Sequence, residues 1–265
     1  MTPYDGEVID CHIHPAADDA TQTNWFRSCG SFERQAEALR RAGITRACGA
    51  PVRSLDGSSF EDVRRLNDQA LALRDRFAEF YIPGIHIHPR YPDESCREIE
   101  RCCGREGVRW IGELVGYMTG FADEYATDSA LVIMRAAAAH GAVVNFHCHN
   151  LDVIDRLCAA VPSLPLVLAH PGGSKKEVLE RAARLATYPN LHLDISGSGI
   201  DRYGILRQLV DIAGKDKLLF GTDFPINNPA VYLYGALFED LTPEERAALF
   251  AGNFRRLHST TGETR

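Results

Sequence analysis

Val8-Ile9-Asp10-Cys11-His12-Ile13-His14-Pro15 sets two histidines one residue apart at the end of a short apolar run. In a strand, residues two apart project to the same face, and Pro15 would end the strand. His12 and His14 then form a pair of imidazoles able to grip one divalent cation. The plainer reading is one buried, hydrogen-bonded histidine and one facing solvent. Ligand-type residues recur at the ends of later apolar runs: His86 and His88, Glu113, His147 and His149, His170, Asp194, and Asp223. Of the ten histidines, eight (12, 14, 86, 88, 147, 149, 170 and 192) fall at or beside such ends. Strand ends have no general need for imidazole, so the joint placement favours a metal site over eight separate packing histidines.

The elements that must position these residues alternate in type. Apolar runs at 8–13, 44–50, 79–86, 108–114, 142–148, 165–170, 191–195 and 217–221 read as strands. Amphipathic stretches at 31–41, 58–80, 94–106, 127–140, 151–161, 174–188 and 201–213 read as helices. Phe60, Val63, Leu66, Ala70, Leu73 and Phe77 repeat at three and four residues, the spacing of one helix face. Thr242-Pro243-Glu244-Glu245 opens a last helix, running to about Phe250, with a cap, a proline in the first turn and two acids behind it. Strand–helix alternation implies a parallel sheet, and eight units in roughly 250 residues predict a (β/α)8 TIM barrel, one domain over 1–265. An open doubly wound sheet lacks its Gly-rich loop after the first strand. In a barrel the chemistry lies at the C-terminal ends of the strands, where the residues above sit.

Composition excludes several classes. The 265 residues are 45% hydrophobic and 25% charged, ordinary for a globular chain. A net charge of −7 argues against a nucleic-acid partner held on a broad basic face. The apolar runs are too short to span a bilayer, and Met1-Thr2-Pro3-Tyr4-Asp5 does not open a secretory signal. Eight cysteines without a Cys-x-x-Cys pair predict free thiols in a reducing cytoplasm. Cys11 and Cys148, beside histidines of interest, are expected to face outward against the helices.

The motifs together resemble the metal-dependent amidohydrolase superfamily over nearly the whole chain: His12-x-His14, His147, His170 and Asp223. Leu168-Ala169-His170-Pro171-Gly172-Gly173, Leu193-Asp194-Ile195-Ser196 and Phe220-Gly221-Thr222-Asp223-Phe224-Pro225 are similar to the amidohydrolase 2 branch, which holds decarboxylases, lactone hydrolases and hydratases. Ile111-Gly112-Glu113-Leu114 departs from that branch. It resembles the fourth strand of TatD-type hydrolases, where the glutamate bridges two metals, and Gly84–Pro89 is similar to that group's third strand. The other reading of Glu113 is a salt bridge to a loop arginine such as Arg109.

The resemblance implies a divalent ion, Zn²⁺ first and Mn²⁺ second, in one or two copies. His12, His14, Glu113, His147, His170 and Asp223 are its candidate ligands. Asp223 would take a proton from a metal-activated water and return it to the leaving group. His170 would bind a second ion or stabilise an oxyanion. His149, two residues beyond His147, competes with it as the fifth strand's ligand. The expected reaction is hydrolysis of a small ester, lactone or amide. Non-oxidative decarboxylation or hydration of a small acid is the alternative, and a nuclease activity of TatD type ranks third. A non-catalytic metal-bearing binding protein is the reading from another class. A carboxylate substrate would call on Arg53, Arg90 or Arg202. Loops 15–30 (with Trp25, Phe26 and Arg27), 52–58 and 116–125 (with Tyr117, Met118 and Phe121) would roof the pocket. The stretch 227–239, with Tyr232 and Tyr234, is a candidate contact in a homo-oligomer.

Overall fold

The strands β1 (Ile9–Ile13), β2 (Arg46–Gly49), β3 (Tyr81–Ile85), β4 (Trp110–Val115), β5 (Val143–His147), β6 (Leu166–Leu168), β7 (Leu191–Asp194) and β8 (Leu218–Leu219) follow one another round one sheet in chain order. Every adjacent pair from β1 to β8 is parallel. The ring is drawn shut where β1 meets the end of β8. Cys11 N donates to Phe220 O at 2.9 Å, Asp223 N to His12 O at 2.8 Å, and His14 N to Phe224 O at 2.8 Å. The result is a nearly closed (β/α)8 barrel. The computed structural model describes residues 4–18, 21, 24–26, 28, 30–55 and 59–259.

Helices α1 (Phe32–Ala42), α2 (Phe60–Arg76), α3 (Pro92–Ile99), a single turn α4 (Gly116–Thr119), α5 (Asp128–Ala139), α6 (Leu151–Ala160), α7 (Lys175–Thr187) and α8 (Ile205–Ala213) occupy the connections. Their caps are in the sequence. Ser59 and Asp62 form a capping box at α2, and Ser174 Oγ accepts from Glu177 N at α7. Gly43 ends α1 at φ 104°, where its N–H meets the Arg40 and Leu39 carbonyls. Residue 58, the expected start of α2, lies outside the described residues.

Some boundaries differ from expectation. The helix expected over 94–106 starts at Pro92 and turns π-helical over Glu100–Arg105. Residues 201–204 form turns, and α8 begins after Gly204 at φ 87°. The stretch 227–239 contains a helix, α9 (Pro229–Phe238), with Asn228 capping it and proline in its first turn. Two short helices, α10 (Pro243–Ala247) and α11 (Asn253–Ser259), flank a π turn at Ala248–Gly252.

The lower barrel is filled by Ile9, Cys11, Cys48, Ile82, Trp110, Val143, Val167 and Leu219, closed below by Ala251, Phe254 and Leu257. Cys11 therefore faces inward, against expectation. The register of β1 against β2 slips between Asp10 and Ile13, so strict alternation fails. Ile9 and Cys11 fill the interior, and after the slip His12 also turns inward. Cys148 does pack in the layer between strands and helices, as expected.

Candidate metal centre

Above that apolar floor the strand ends turn polar. Asp10 sews β1 to the end of β8: its Oδ1 accepts from His12 N and from Thr222 N, both at 3.1 Å, and its Oδ2 accepts from Thr222 Oγ1 at 2.5 Å. His12 and Asp223 are thereby set on neighbouring strands. Asp223 and His170 both adopt left-handed backbone, at φ 61° and 67°. For non-glycine residues this costs on the order of 1–3 kcal/mol each, and it persists only where surrounding contacts over-determine it.

The centre is organised round Glu113, buried at the end of β4. Its Oε2 lies 3.1 Å from His12 Nε2 and 3.5 Å from His14 Nε2, and its Oε1 lies 3.2 Å from His147 Nδ1 and 3.6 Å from His170 Nε2. Asp223 Oδ1 adds contacts of 3.0 Å to His14 Nε2 and 3.7 Å to His12 Nε2. The structure thus brings all six candidate ligands into one cluster. Arg109 is not the partner of Glu113; its Nη1 donates to His140 O. His147, not His149, faces the cluster. The side chain of His149 stays 65% exposed behind it, with the two Nε2 atoms 3.0 Å apart.

Burial disfavours charge on both His12 and Glu113, yet each outweighs it for the other. Glu113 and Asp194 hold His12 well above the usual histidine range, and His12, His147 and His170 hold Glu113 well below the usual carboxylate range. Burial pushes His170 below its ordinary value, favouring a neutral ring. The cluster therefore draws positive charge to the point where His12 Nε2 meets the carboxylates.

Two observations fit these residues to a divalent cation. The donors are imidazoles and carboxylates. Two sets of donor atoms each gather within 4.8 Å: His12, Glu113 and His170, and His12, His14 and Asp223.

A second layer, outside the six candidate ligands, orients these rings. Asp194 Oδ2 lies 3.0 Å from His12 Nδ1, and Asn145 Nδ2 donates to the same oxygen at 2.9 Å. Burial alone would raise the Asp194 carboxyl, but His12 and its neighbours carry it down to about 2. Ser196 Oγ donates to Asp194 Oδ1, so it is left to accept from His170 Nδ1 at 3.0 Å. That fixes the His170 tautomer and leaves Nε2 as a lone pair facing the cluster. Asp194 and Ser196 stand two apart at the end of β7 as His12 and His14 do at the end of β1. Short polar residues carry no ligand signature of their own, however.

A cavity of about 330 Å³ opens over the cluster, lined by His14, Glu113, His147, His170 and Asp223 below and by Trp25, Arg53, Tyr117 and Met118 above. Of the three arginine candidates, Arg53 lines it. It pairs with Asp62 at 2.9 Å and keeps a buried, unpartnered Nε. Arg90 instead pairs with Glu124 on the surface, and Arg202 donates to Gly173 O. Trp25, Tyr117 and Met118 roof the pocket as expected, whereas Phe26 is 96% exposed and Phe121 is buried against His88 and Tyr125. Arg27 lies outside the described residues. His86 and His88 do not join the centre; they bond the carbonyls of Pro51 and Thr119 and tie β3 to its loops. Tyr232 is buried with its hydroxyl on Gly197 O, while Tyr234 is exposed.

The family model described as amidohydrolase, the amidohydrolase 2 model, matches residues 9–258. Among solved structures, a dihydroxybenzoic acid decarboxylase from Polaromonas sp. JS666 with bound manganese and the inhibitor 2-nitroresorcinol shares 16% identity at a TM-score of 0.76, covering 96% of this chain and 97% of its own. A 2,6-dihydroxybenzoate decarboxylase from Rhizobium shares 16% identity at 0.73, covering 99% and 100%. A 5-carboxyvanillate decarboxylase from Sphingomonas paucimobilis shares 13% identity at 0.69, covering 95% and 98%. No curated protein matches by sequence. At these identities the structural likeness establishes a common fold.

Proposed function

The chain belongs to the amidohydrolase family, and from that premise we propose that it is a divalent-metal-dependent decarboxylase of a small carboxylic acid, with a hydroxylated aromatic acid as the best-fitting class. The observation that carries this reading is the cavity: about 330 Å³, aromatic at its rim through Trp25 and Tyr117, and cationic at one wall through Arg53. The acids named for the structural relatives support it. Hydrolysis of an ester, lactone or amide, the first expectation from the sequence, has no comparable support.

His12, His14 and Asp223 would hold the ion, with Glu113, His147 and His170 beside them. A bound divalent ion supplies positive charge that polarises the oxygens of an acid in the cavity. Mn²⁺ and Zn²⁺ both suit this donor set, and manganese is the ion in the relative's structure. Arg53 meets an anionic oxygen of the acid with charge-assisted hydrogen bonds. Trp25 and Tyr117 give a flat ring its faces. Asp223 lines the cavity and is placed to deliver a proton there. As the bond to the carboxyl carbon breaks, its electron pair stays on the ring carbon, carbon dioxide leaves, and a proton from the Asp223 carboxyl takes the vacated position. Solvent reaching the cavity after the product leaves returns the next proton to Asp223.

No helix among the described residues is long and apolar enough to cross a membrane. The described cysteines are free, which suits a reducing compartment such as the cytoplasm.

The test is a substrate panel on protein loaded with Mn²⁺ or Zn²⁺. Hydroxybenzoates, including 2,6-dihydroxybenzoate and 5-carboxyvanillate, are set against aryl esters and lactones. We expect loss of an acid with one equivalent of carbon dioxide. Turnover of esters or lactones with every acid untouched would return the reading to hydrolysis.

A further inference from the structure

Arg181 stands on α7, one layer outside the metal centre, and is only 2% exposed. A buried guanidinium needs its donors satisfied, usually by a carboxylate. Here the hydrogen bonds go elsewhere. Nη1 donates to Ala169 O at 2.8 Å and to His170 O; Nη2 donates to His149 Nδ1 at 3.2 Å and reaches Cys148 O at 3.5 Å. One side chain thus ties the end of β5 to the end of β6.

We infer that Arg181 is a positioning residue for the metal centre, acting on His170 through its carbonyl and on His147 through His149. The first arm explains how His170 stays in left-handed backbone: its carbonyl and the one before it are held by the same nitrogen. In that conformation its Nε2 faces Glu113 Oε1 at 3.6 Å. The second arm sets a tautomer. Arg181 Nη2 and Glu177 Oε1 both approach His149 Nδ1, at 3.2 Å and 3.5 Å; the guanidinium, which only donates, is the nearer, so Nδ1 accepts from it and the proton sits on Nε2. That N–H points at His147 Nε2, 3.0 Å away, so His147 accepts there, carries its own proton on Nδ1 and donates it to Glu113 Oε1 at 3.2 Å, which holds the carboxylate in place. Outer partners of this kind fix ring orientation, and their loss typically costs about 10–100-fold in metal affinity.

The inference rests on the metal-centre reading, and one titration separates the two. Mn²⁺ affinity is measured by chelator competition on the full chain, the Arg181→Met variant and the Arg181→Lys variant, with ¹⁵N NMR of the histidine rings on each. We expect the unaltered chain to bind Mn²⁺ and Arg181→Met to bind about 10-fold or more weakly. The His149 Nδ1 resonance should move away from its hydrogen-bonded position. Where Arg181→Met does not fold, Arg181→Lys decides by the same two readouts, since an ammonium can satisfy the carbonyls but lacks the fork that also reaches His149. An unaltered chain that binds no Mn²⁺ or Zn²⁺ sinks the metal reading itself. Binding by the unaltered chain, with equal affinity and an unmoved His149 resonance in the folded variant, overturns the role of Arg181.

Discussion

Asp194 Oδ2 lies 3.0 Å from His12 Nδ1, with both side chains sealed from solvent. The carboxylate keeps a proton on Nδ1, so a cation entering the cluster displaces the proton of Nε2 and meets its lone pair there. Asp194→Asn removes the charge that fixes this tautomer. Mn²⁺ affinity, measured by chelator competition, should fall about 10- to 100-fold with the barrel still folded. Unchanged affinity would mean that His12 is oriented by packing alone.

The Glu113 carboxylate lies within 3.6 Å of four imidazoles. The two donor sets both use His12 Nε2, whose single lone pair serves one ion at a time. Elemental analysis should therefore give one ion per chain. In Glu113→Gln the count should hold at saturating metal while the dissociation constant rises about 10-fold or more, the consequence of losing a buried charge beside a cation. Two ions per chain, falling to one in the variant, would instead make Glu113 a bridge.

Arg53 reaches the cavity wall with an unpartnered Nε. Arg53→Met should raise KM for an acid substrate about 10- to 100-fold, the worth of a charged hydrogen bond of roughly 1.5–3 kcal/mol. Metal content should not change. A fall in kcat at constant KM would assign Arg53 to the chemical step.

Gly197 lies at φ 64°, and a Cβ there would stand 2.1 Å from His170 Nδ1. No side chain can be added without moving the ring off Ser196. Gly197→Ala should cut activity about 100-fold or more, in line with a misplacement of about 1 Å in a catalytic group. The midpoint of thermal unfolding should drop by only a few degrees, for a backbone strain of about 1 kcal/mol. Full activity in the alanine variant would show that His170 is not held where the chemistry needs it.

His192, buried on β7 away from the cluster, is pushed down to about 4, chiefly by burial and then by Lys217 and Arg256. The folded protein resists a proton that the unfolded chain accepts near 6.5. Stability is therefore complete above the unfolded value and is lost as pH falls from about 6.5 toward 4. The contribution reaches roughly 3 kcal/mol at the low end. Urea unfolding at pH 7 and pH 5 should show the fall. His192→Leu should flatten its slope with pH by up to one proton, whereas an unchanged slope would place the effect in other groups.

The sequence by itself determined the barrel and most of the centre, for one reason: both are written in local periodicity. Strand spacing, the caps at Ser59 and Ser174 and the stop at Gly43 each act within a few residues. The ligand-type residues stand out because imidazole and carboxylate are rare at strand ends. What only the tertiary structure decided depends on residues far apart in the chain. The slip in β1 that lets His12 turn inward beside Cys11 arises from pairing with β2. Asp194 meets His12 across 182 positions, and Arg181 reaches backward to two strand ends. His86 and His88 share the same local pattern as His12 and His14, yet bond loop carbonyls instead. Arg53 and Arg90 look alike in sequence, and only the folding of their loops puts one over the cavity and the other on the surface. Local pattern sets which face a side chain takes, and tertiary packing sets what it meets there.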